Sequence, residues 1–160
     1  MNNFLKLLEE KGIKVFVIHA LSGYQFHEKR VIDIMGKYDI PFIFMSDGDS
    51  SNFHKINLNE FFVSDIQLER SPLSCALNHF LLYKKMIDEN IPYALILEDD
   101  FVFLKKFFSR INEVLGRLHE LPEGYIVSIE NTTLQFPGYF QTKKGKIFYK
   151  AKKEEWQLHI

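Results

Sequence analysis

Three adjacent carboxylates, Glu98, Asp99 and Asp100, follow an apolar run at 92–97 (PYALIL) that is typical of a buried strand. Such close carboxylates repel one another unless a cation or hydrogen-bond donors compensate their charge. Along an extended backbone Glu98 and Asp100 point to the same side, and two oxygen ligands there suit a hard divalent cation. The triplet therefore predicts a metal or ligand site. The alternative is that the acids cap the next helix or end the strand in water, but the apolar residues 101–104 separate them from that helix.

A second candidate pair, Cys75 and His79, lies four residues apart and therefore on one face of a predicted helix. Cysteine and histidine can act together as nucleophile and base, but no third group that would orient them is visible in the sequence. The pattern favours a packed helix face, and it leaves open a role for His79 in contacting a ligand.

Composition and missing motifs exclude several classes of function. The 160 residues carry a formal net charge of −1, so no global field favours a nucleic-acid partner. One cysteine excludes an internal disulfide and a zinc site built from several thiolates, and it fits a reducing cytoplasm. No apolar run approaches the roughly 20 residues that span a bilayer. The sequence has neither a Gly-rich phosphate loop nor a nucleophile-elbow serine, and adjacent carboxylates fit a glycosidase poorly.

The elements that must position these residues follow from hydrophobic periodicity. Strands are predicted at 14–18, 40–45, 92–97 and 125–129. Helices are predicted at 26–35 with Gly36 as the stop, from Ser71-Pro72 to about residue 89 with Asn90 as the stop, and at 107–118. This alternation predicts an α/β fold with a mostly parallel sheet and flanking helices. Ligands bind outside the carboxyl ends of such strands, which is where the acidic triplet lies.

The two ends of the chain differ from this pattern. Residues 1–13 are predicted as an N-terminal helical extension, amphipathic and packed on the domain rather than bound to a membrane. Six lysines crowd into residues 143–153. The basic C-terminal segment, 131–160, is interpreted as a solvated edge, with attraction to anionic lipid or sugar phosphates as the alternative.

Several segments, in the order in which they occur along the chain, resemble glycosyltransferase family 25. Residues 71–79 (SPLSCALNH) are similar to a family helix that contains Cys and Ser-His. Residues 91–100 (IPYALILEDD) are similar to the strand that follows this helix and ends in Glu-Asp-Asp. Residues 15–22 (VFVIHALS) resemble its first strand and donor loop, and 40–44 with Asp47 resemble its second strand and acidic turn. Residues 125–130 are similar to the strand after the next helix. Among family members, lipooligosaccharide β-galactosyltransferases are the most similar in character.

The resemblance implies a GT-A-like, Rossmann-type fold that binds a UDP-sugar, UDP-galactose in particular, through Mn²⁺ or Mg²⁺. It implies Glu98 and Asp100 as metal ligands. The residues that it places near the nucleotide sugar are Ala20, Leu21, Ser22, Arg30, Asp47, His79 and Asp99. The hexose would pass to an oligosaccharide acceptor of bacterial lipooligosaccharide or lipopolysaccharide. The hexose transfer would take place in the cytoplasm. Peripheral contact of the protein with the inner membrane is left open. No residue is assigned as the catalytic base.

Three departures from the family pattern bear on activity. Asn78 stands where the family usually has Ser, and the first donor loop is longer before Arg30. Family members continue past a Trp-Gly-Thr-Ala-Gly-Tyr-like segment into an acceptor-binding portion, whereas here Glu155-Trp156 is followed by four residues. We therefore expect a nucleotide-sugar-binding domain at 14–130 and an incomplete, C-terminally truncated acceptor-binding part at 131–160. A catalytically incompetent donor-binding remnant or partner module is the alternative, and an apolar face exposed by truncation would favour self-association.

Overall fold

The structure is a computed structural model that describes residues 2–19, 25–61 and 70–120. The predicted strand at 125–129 and the basic segment at 131–160 lie outside the described residues. The described residues fall into two compact units, divided between Phe108 and Ser109.

The helices and strands follow one another in the predicted order. They are α1 (Asn2–Glu10), β1 (Lys14–Ile18), α2 (Gln25–Lys37), β2 (Ile43–Met45), α3 (Arg70–Asp88), β3 (Ala94–Glu98) and α4 (Phe107–Gly116). Short 3₁₀ turns lie at Ser50–Lys55, Leu58–Glu60 and Leu118–Glu120. The segment after β2 contains two of these turns, and β2 is shorter than the predicted 40–45.

The described strands form a parallel sheet in the order β2-β1-β3. The central strand β1 pairs Ile18 with Met45 of β2 and with Glu98 of β3. The chain thus winds from β1 to one side through α2 and then crosses to the other side through α3. This confirms the predicted α/β architecture with flanking helices, in the Rossmann-like manner.

The core of the first unit is built on both faces of β1. Val15, Phe16, Val17 and Ile18 are all buried, as expected of a parallel central strand. Phe16 and Ile18 pack in one cluster with Leu82 of α3 and Ile91, so α3 covers the face to which these alternate side chains point.

The helix α1 belongs to this unit. Its Phe4 is fully buried and meets the rings of Phe107 and Phe108 edge-on. In the described part of the chain, no helix is both long and apolar enough to cross a membrane.

Three helices end in the same way, each directly before the chain enters the sheet. Gly12, Asp39 and Asn90 have positive φ angles of 62°, 53° and 52°. The isoleucine that follows each of them is buried and donates its N–H to the carbonyl five residues back, as in a Schellman motif. Asn90 therefore confirms its predicted role as a stop. The predicted stop at Gly36 is wrong, because Gly36 lies inside α2 and Asp39 takes the left-handed conformation.

Candidate functional site

The carboxyl ends of the strands meet where the winding of the chain reverses, between β1 and β3. His19 follows β1 and Asp99 follows β3, and the Ile18–Glu98 register brings these two next residues side by side. The backbone N–H of Asp99 donates to the carbonyl of Ile18 at 3.0 Å, which fixes the two strand ends together. Such a switch point is the ordinary ligand crevice of an open α/β sheet.

The side chains of His19 and Asp99 are joined at this point. Nδ1 of His19 lies 2.5 Å from Oδ2 of Asp99, and the two side chains are 9% and 20% exposed. His27 of α2 approaches the other carboxylate oxygen at 3.7 Å between Nδ1 and Oδ1. Because His19 is buried, this pair positions the strand ends and the Asp99 carboxylate, and it offers little surface to a substrate.

Arg30 of α2 holds the backbone that follows β3. Its Nη2 donates to the carbonyl of Asp99 at 3.0 Å and to the carbonyl of Phe101 at 2.8 Å. The N–H of Phe101 in turn donates to the carbonyl of Glu98 at 3.0 Å. The stretch 98–101 is therefore a closed turn that Arg30 clamps from α2.

Glu98 points to α3 instead of α2, because successive side chains of a strand alternate. Its Oε1 lies 3.4 Å from Nε2 of His79 and 3.6 Å from Sγ of Cys75. Hydrogen bonding and charge from His79 lower the pKa of Glu98, although burial opposes this. Burial, followed by the negative charge of Glu98, raises the pKa of Cys75 to about 12. A thiol held in its neutral form is a poor nucleophile, so the raised pKa of Cys75 disfavours a cysteine–histidine mechanism.

The loop after β2 is tied to the same helix. Gly48 donates its N–H to Oδ1 of the buried Asn78 at 2.9 Å. A Cβ atom at Gly48 would lie 2.7 Å from the backbone nitrogen of Asn78. The loop can therefore approach α3 this closely only with a glycine at position 48. Asp49 is buried and caps the following 3₁₀ turn through Ser51, whereas Asp47 is exposed.

The structure brings together most of the site residues predicted from the sequence. Arg30, His79, Glu98 and Asp99 converge on the end of β3 through the contacts above. Asp47 lies at the end of β2, at the same edge of the sheet. Ala20, Leu21 and Ser22 lie outside the described residues, so the prediction for that loop stays a prediction.

The reason given for pairing Glu98 with Asp100 is wrong, although their metal-binding role stays a prediction. The backbone is not extended through Asp100, because β3 ends at Glu98 and the chain then turns. Both side chains are nonetheless solvent-accessible, since Glu98 is 49% exposed at its side chain and Asp100 is classed as exposed.

Two residues of the site were missed by sequence reasoning. His19 was noted only as part of a motif, and His27 was not noted at all. A signal for His19 existed, because it directly follows a buried strand and so must lie at the ligand edge of a parallel sheet. No comparable signal existed for His27, whose contact depends on how α2 sits against β3.

Comparison with known proteins agrees with this arrangement. Residues 2–157 match the sequence profile described as glycosyltransferase family 25 (LPS biosynthesis protein). A protein named glycosyltransferase 25 family member, from Aedes aegypti, is 27% identical over 154 residues. That alignment covers 86% of this chain and 22% of the mosquito protein, so the chain spans about a fifth of the length of this relative. On the match to the family profile, the chain belongs to glycosyltransferase family 25.

Proposed function

We propose that the chain binds a nucleotide sugar and transfers its hexose to an acceptor. The donor we propose is a UDP-sugar, UDP-galactose first, and the acceptor is an oligosaccharide of bacterial lipooligosaccharide or lipopolysaccharide. The observation that carries the proposal is the clamped acidic turn at the switch point, where His19 and Arg30 fix Asp99. The description of the family as an LPS biosynthesis protein supports the choice of acceptor.

The carboxylates at this turn fit a divalent cation of the Mn²⁺ or Mg²⁺ kind. Such ions prefer oxygen ligands and usually keep several positions for water and phosphate. Glu98 and Asp100 offer accessible carboxylates, whereas the carboxylate of Asp99 is already occupied by His19. A cation held by Glu98 and Asp100 would supply Lewis-acid neutralisation of charge on the departing UDP.

The chain's own residues have distinct parts in this proposal. Arg30 is a positioning residue, because its Nη2 already bonds two carbonyl groups of the turn. Asp47 and His79 lie at the ligand edge, on the β2 and α3 sides, where contacts to the sugar nucleotide are proposed for them. Asp99 anchors the turn to β1. The base that would take a proton from the acceptor hydroxyl remains without a candidate among these residues.

Calorimetric titration with UDP-galactose, with and without Mn²⁺, tests the donor site. We expect binding that requires the cation, is lost in Asp100→Ala and is retained in Asp88→Ala. Asp88 is the matched control because it is an exposed carboxylate at the far end of α3. At that end Glu89 pairs with Lys14, the first residue of β1, which places it at the opposite edge of the sheet. No binding by a folded wild-type chain would overturn the proposal.

A donor-binding module without transfer of its own is the alternative. It is worth testing because the aligned region is only 22% of the mosquito relative, which therefore has much sequence with no counterpart in the alignment. Transfer of labelled galactose to lipooligosaccharide by the isolated chain would exclude this alternative. Metal-dependent donor binding without transfer would favour it.

A further inference from the structure

Cys75, His79 and Glu98 form a compact group of three different potential metal ligands. Cys75 and His79 lie one helical turn apart on α3, and Glu98 is the last residue of β3. One ligand atom from each residue lies within 4.8 Å of the other two. Among the residues that the structure describes, the His, Cys, Asp and Glu side chains that lie close enough together in a group of three to share an ion are these.

The distances from Glu98 to the other two residues match those of a tetrahedral metal site. Zinc bonds of about 2.0–2.3 Å at tetrahedral angles separate neighbouring ligand atoms by about 3.4–3.6 Å. The observed distances are 3.4 Å from Nε2 of His79 to Oε1 of Glu98 and 3.6 Å from Sγ of Cys75 to the same oxygen. The carboxylate oxygen of Glu98 therefore already stands about as far from the other two ligand atoms as a shared ion requires.

The surroundings supply what such a site needs beyond its ligands. The hydroxyl of Tyr83 lies 3.4 Å from Nδ1 of His79, so it can accept the ring N–H and leave Nε2 for a metal. Glu98 is about half-exposed, which leaves a solvent-facing approach and room for a fourth, water ligand.

We propose that Cys75, His79 and Glu98 bind a Zn²⁺-class transition metal ion with three protein ligands and one open position. A thiolate and an imidazole select zinc or cobalt over magnesium, calcium or manganese, which prefer oxygen ligands. The site thus differs in ligand chemistry from the carboxylate site of Glu98 and Asp100.

The charge around Cys75 is negative and attracts a divalent cation to its sulfur. Glu98, Asp99 and Asp100 all place negative charge near the thiol. Metal coordination deprotonates a thiol outright, and the cation then interacts favourably with the same carboxylates that oppose a free thiolate.

The two sites share Glu98, and this has a consequence that rests on the proposed function. A zinc ion that holds Glu98 removes that carboxylate from the cation that would accompany the sugar nucleotide. Zinc should therefore weaken Mn²⁺-dependent donor binding and act as an inhibitor of the domain.

Titration of the full chain with Co²⁺ at about pH 8, without any nucleotide sugar, tests the site itself. We expect one equivalent to produce thiolate-to-cobalt charge-transfer absorption and the intense visible bands of tetrahedral cobalt. Zn²⁺ should abolish both signals, whereas Mg²⁺ should not.

Variants assign the signal to the three ligands. Cys75→Ser should remove the charge-transfer band, and His79→Ala should weaken binding by about tenfold or more. His54→Ala, a histidine on the exposed turn Ser50–Lys55, should change neither. Circular dichroism checks that each variant is folded. Cobalt binding without the charge-transfer band, or a band that persists in Cys75→Ser, would overturn the proposal. Because no sugar nucleotide is present, such a failure leaves the donor-binding proposal untouched.

Discussion

Arg30 is the residue on which the shape of the acidic turn depends. It is half-buried, and its Nη2 satisfies the carbonyls of both Asp99 and Phe101. Replacing it with an apolar side chain of similar length leaves two backbone acceptors near the ligand edge without a donor. A charged hydrogen-bonding group of this kind contributes on the order of 2 kcal/mol to stability.

We therefore expect Arg30→Met to lower the free energy of unfolding by about 2 kcal/mol. Lys29→Met is the matched control, since Lys29 is exposed on the same helix. Urea unfolding of both variants measures the difference in midpoint at constant slope. Equal midpoints for the two variants would show that Arg30 does not hold the turn.

Cys75 gives a second prediction at the scale of single residues, about its reactivity. A pKa of about 12 instead of 9.0 lowers the thiolate fraction at neutral or mildly basic pH, below both values, by about a thousandfold. Alkylating reagents attack the thiolate, so native protein should react at least about a hundredfold more slowly than protein unfolded in urea.

The measurement is clean because the chain has one cysteine. Mass spectrometry of the iodoacetamide adduct against time gives both rates. Glu98→Gln should speed the native reaction, because it removes the negative charge that, after burial, contributes most to raising the pKa of the Cys75 thiol. A native rate similar to that in urea would contradict the neutral, protected thiol.

At the scale of elements, the repeated helix ending makes a glycine comparison possible. Gly12 and Gly36 both have open space where a Cβ atom would be added, but Gly12 has a φ of 62° and Gly36 lies within α2. A side chain in the left-handed region costs about 1 kcal/mol, whereas alanine in place of a helical glycine gains about the same amount.

We expect Gly12→Ala to lower and Gly36→Ala to raise the free energy of unfolding, each by about 1 kcal/mol. Thermal unfolding of the two variants against wild type shows the sign directly. A shift in the same direction for both would mean that the chain reversal after α1 does not depend on the left-handed residue.

These endings also show which parts of the fold the sequence could predict. Strands β1 and β3 and helix α3 were predicted closely, because their apolar periodicity records burial directly. The end of α2 was assigned to Gly36 because glycine is the commonest left-handed residue, yet Asp39 takes that role. Asparagine and aspartate tolerate the same conformation, so composition alone could not choose between the two positions.

The candidate site was predictable to the extent that it follows from topology. Parallel strands bring their carboxyl ends to one edge, so Glu98 and Asp99 could be placed near a ligand crevice. The sequence could not predict that Glu98 contacts α3 whereas Asp99 contacts α2, because these contacts depend on where β3 ends. If the strand had continued beyond Glu98, the side chains of Glu98 and Asp100 would have pointed to the same side.

For the whole molecule, the proposed ligand site joins segments that are far apart in sequence. His19, Arg30, Cys75 and Asp99 come from four different segments and meet at one edge of the sheet. Global unfolding of the first unit therefore destroys the site, so a ligand that binds there must stabilise the fold by mass action.

Differential scanning calorimetry then measures donor binding as a rise in the thermal unfolding midpoint. At a UDP-galactose concentration about 100 times Kd with Mn²⁺, the folded state should gain about 2.7 kcal/mol. For a chain of this size that gain corresponds to a rise in Tm of about 5–10 °C. Mn²⁺ alone and UDP-galactose alone should each shift Tm much less, because the proposed site needs both to balance its charge. Asp88→Ala should keep the full shift and Asp100→Ala should lose it. A full shift in Asp100→Ala would place the nucleotide sugar away from the acidic turn.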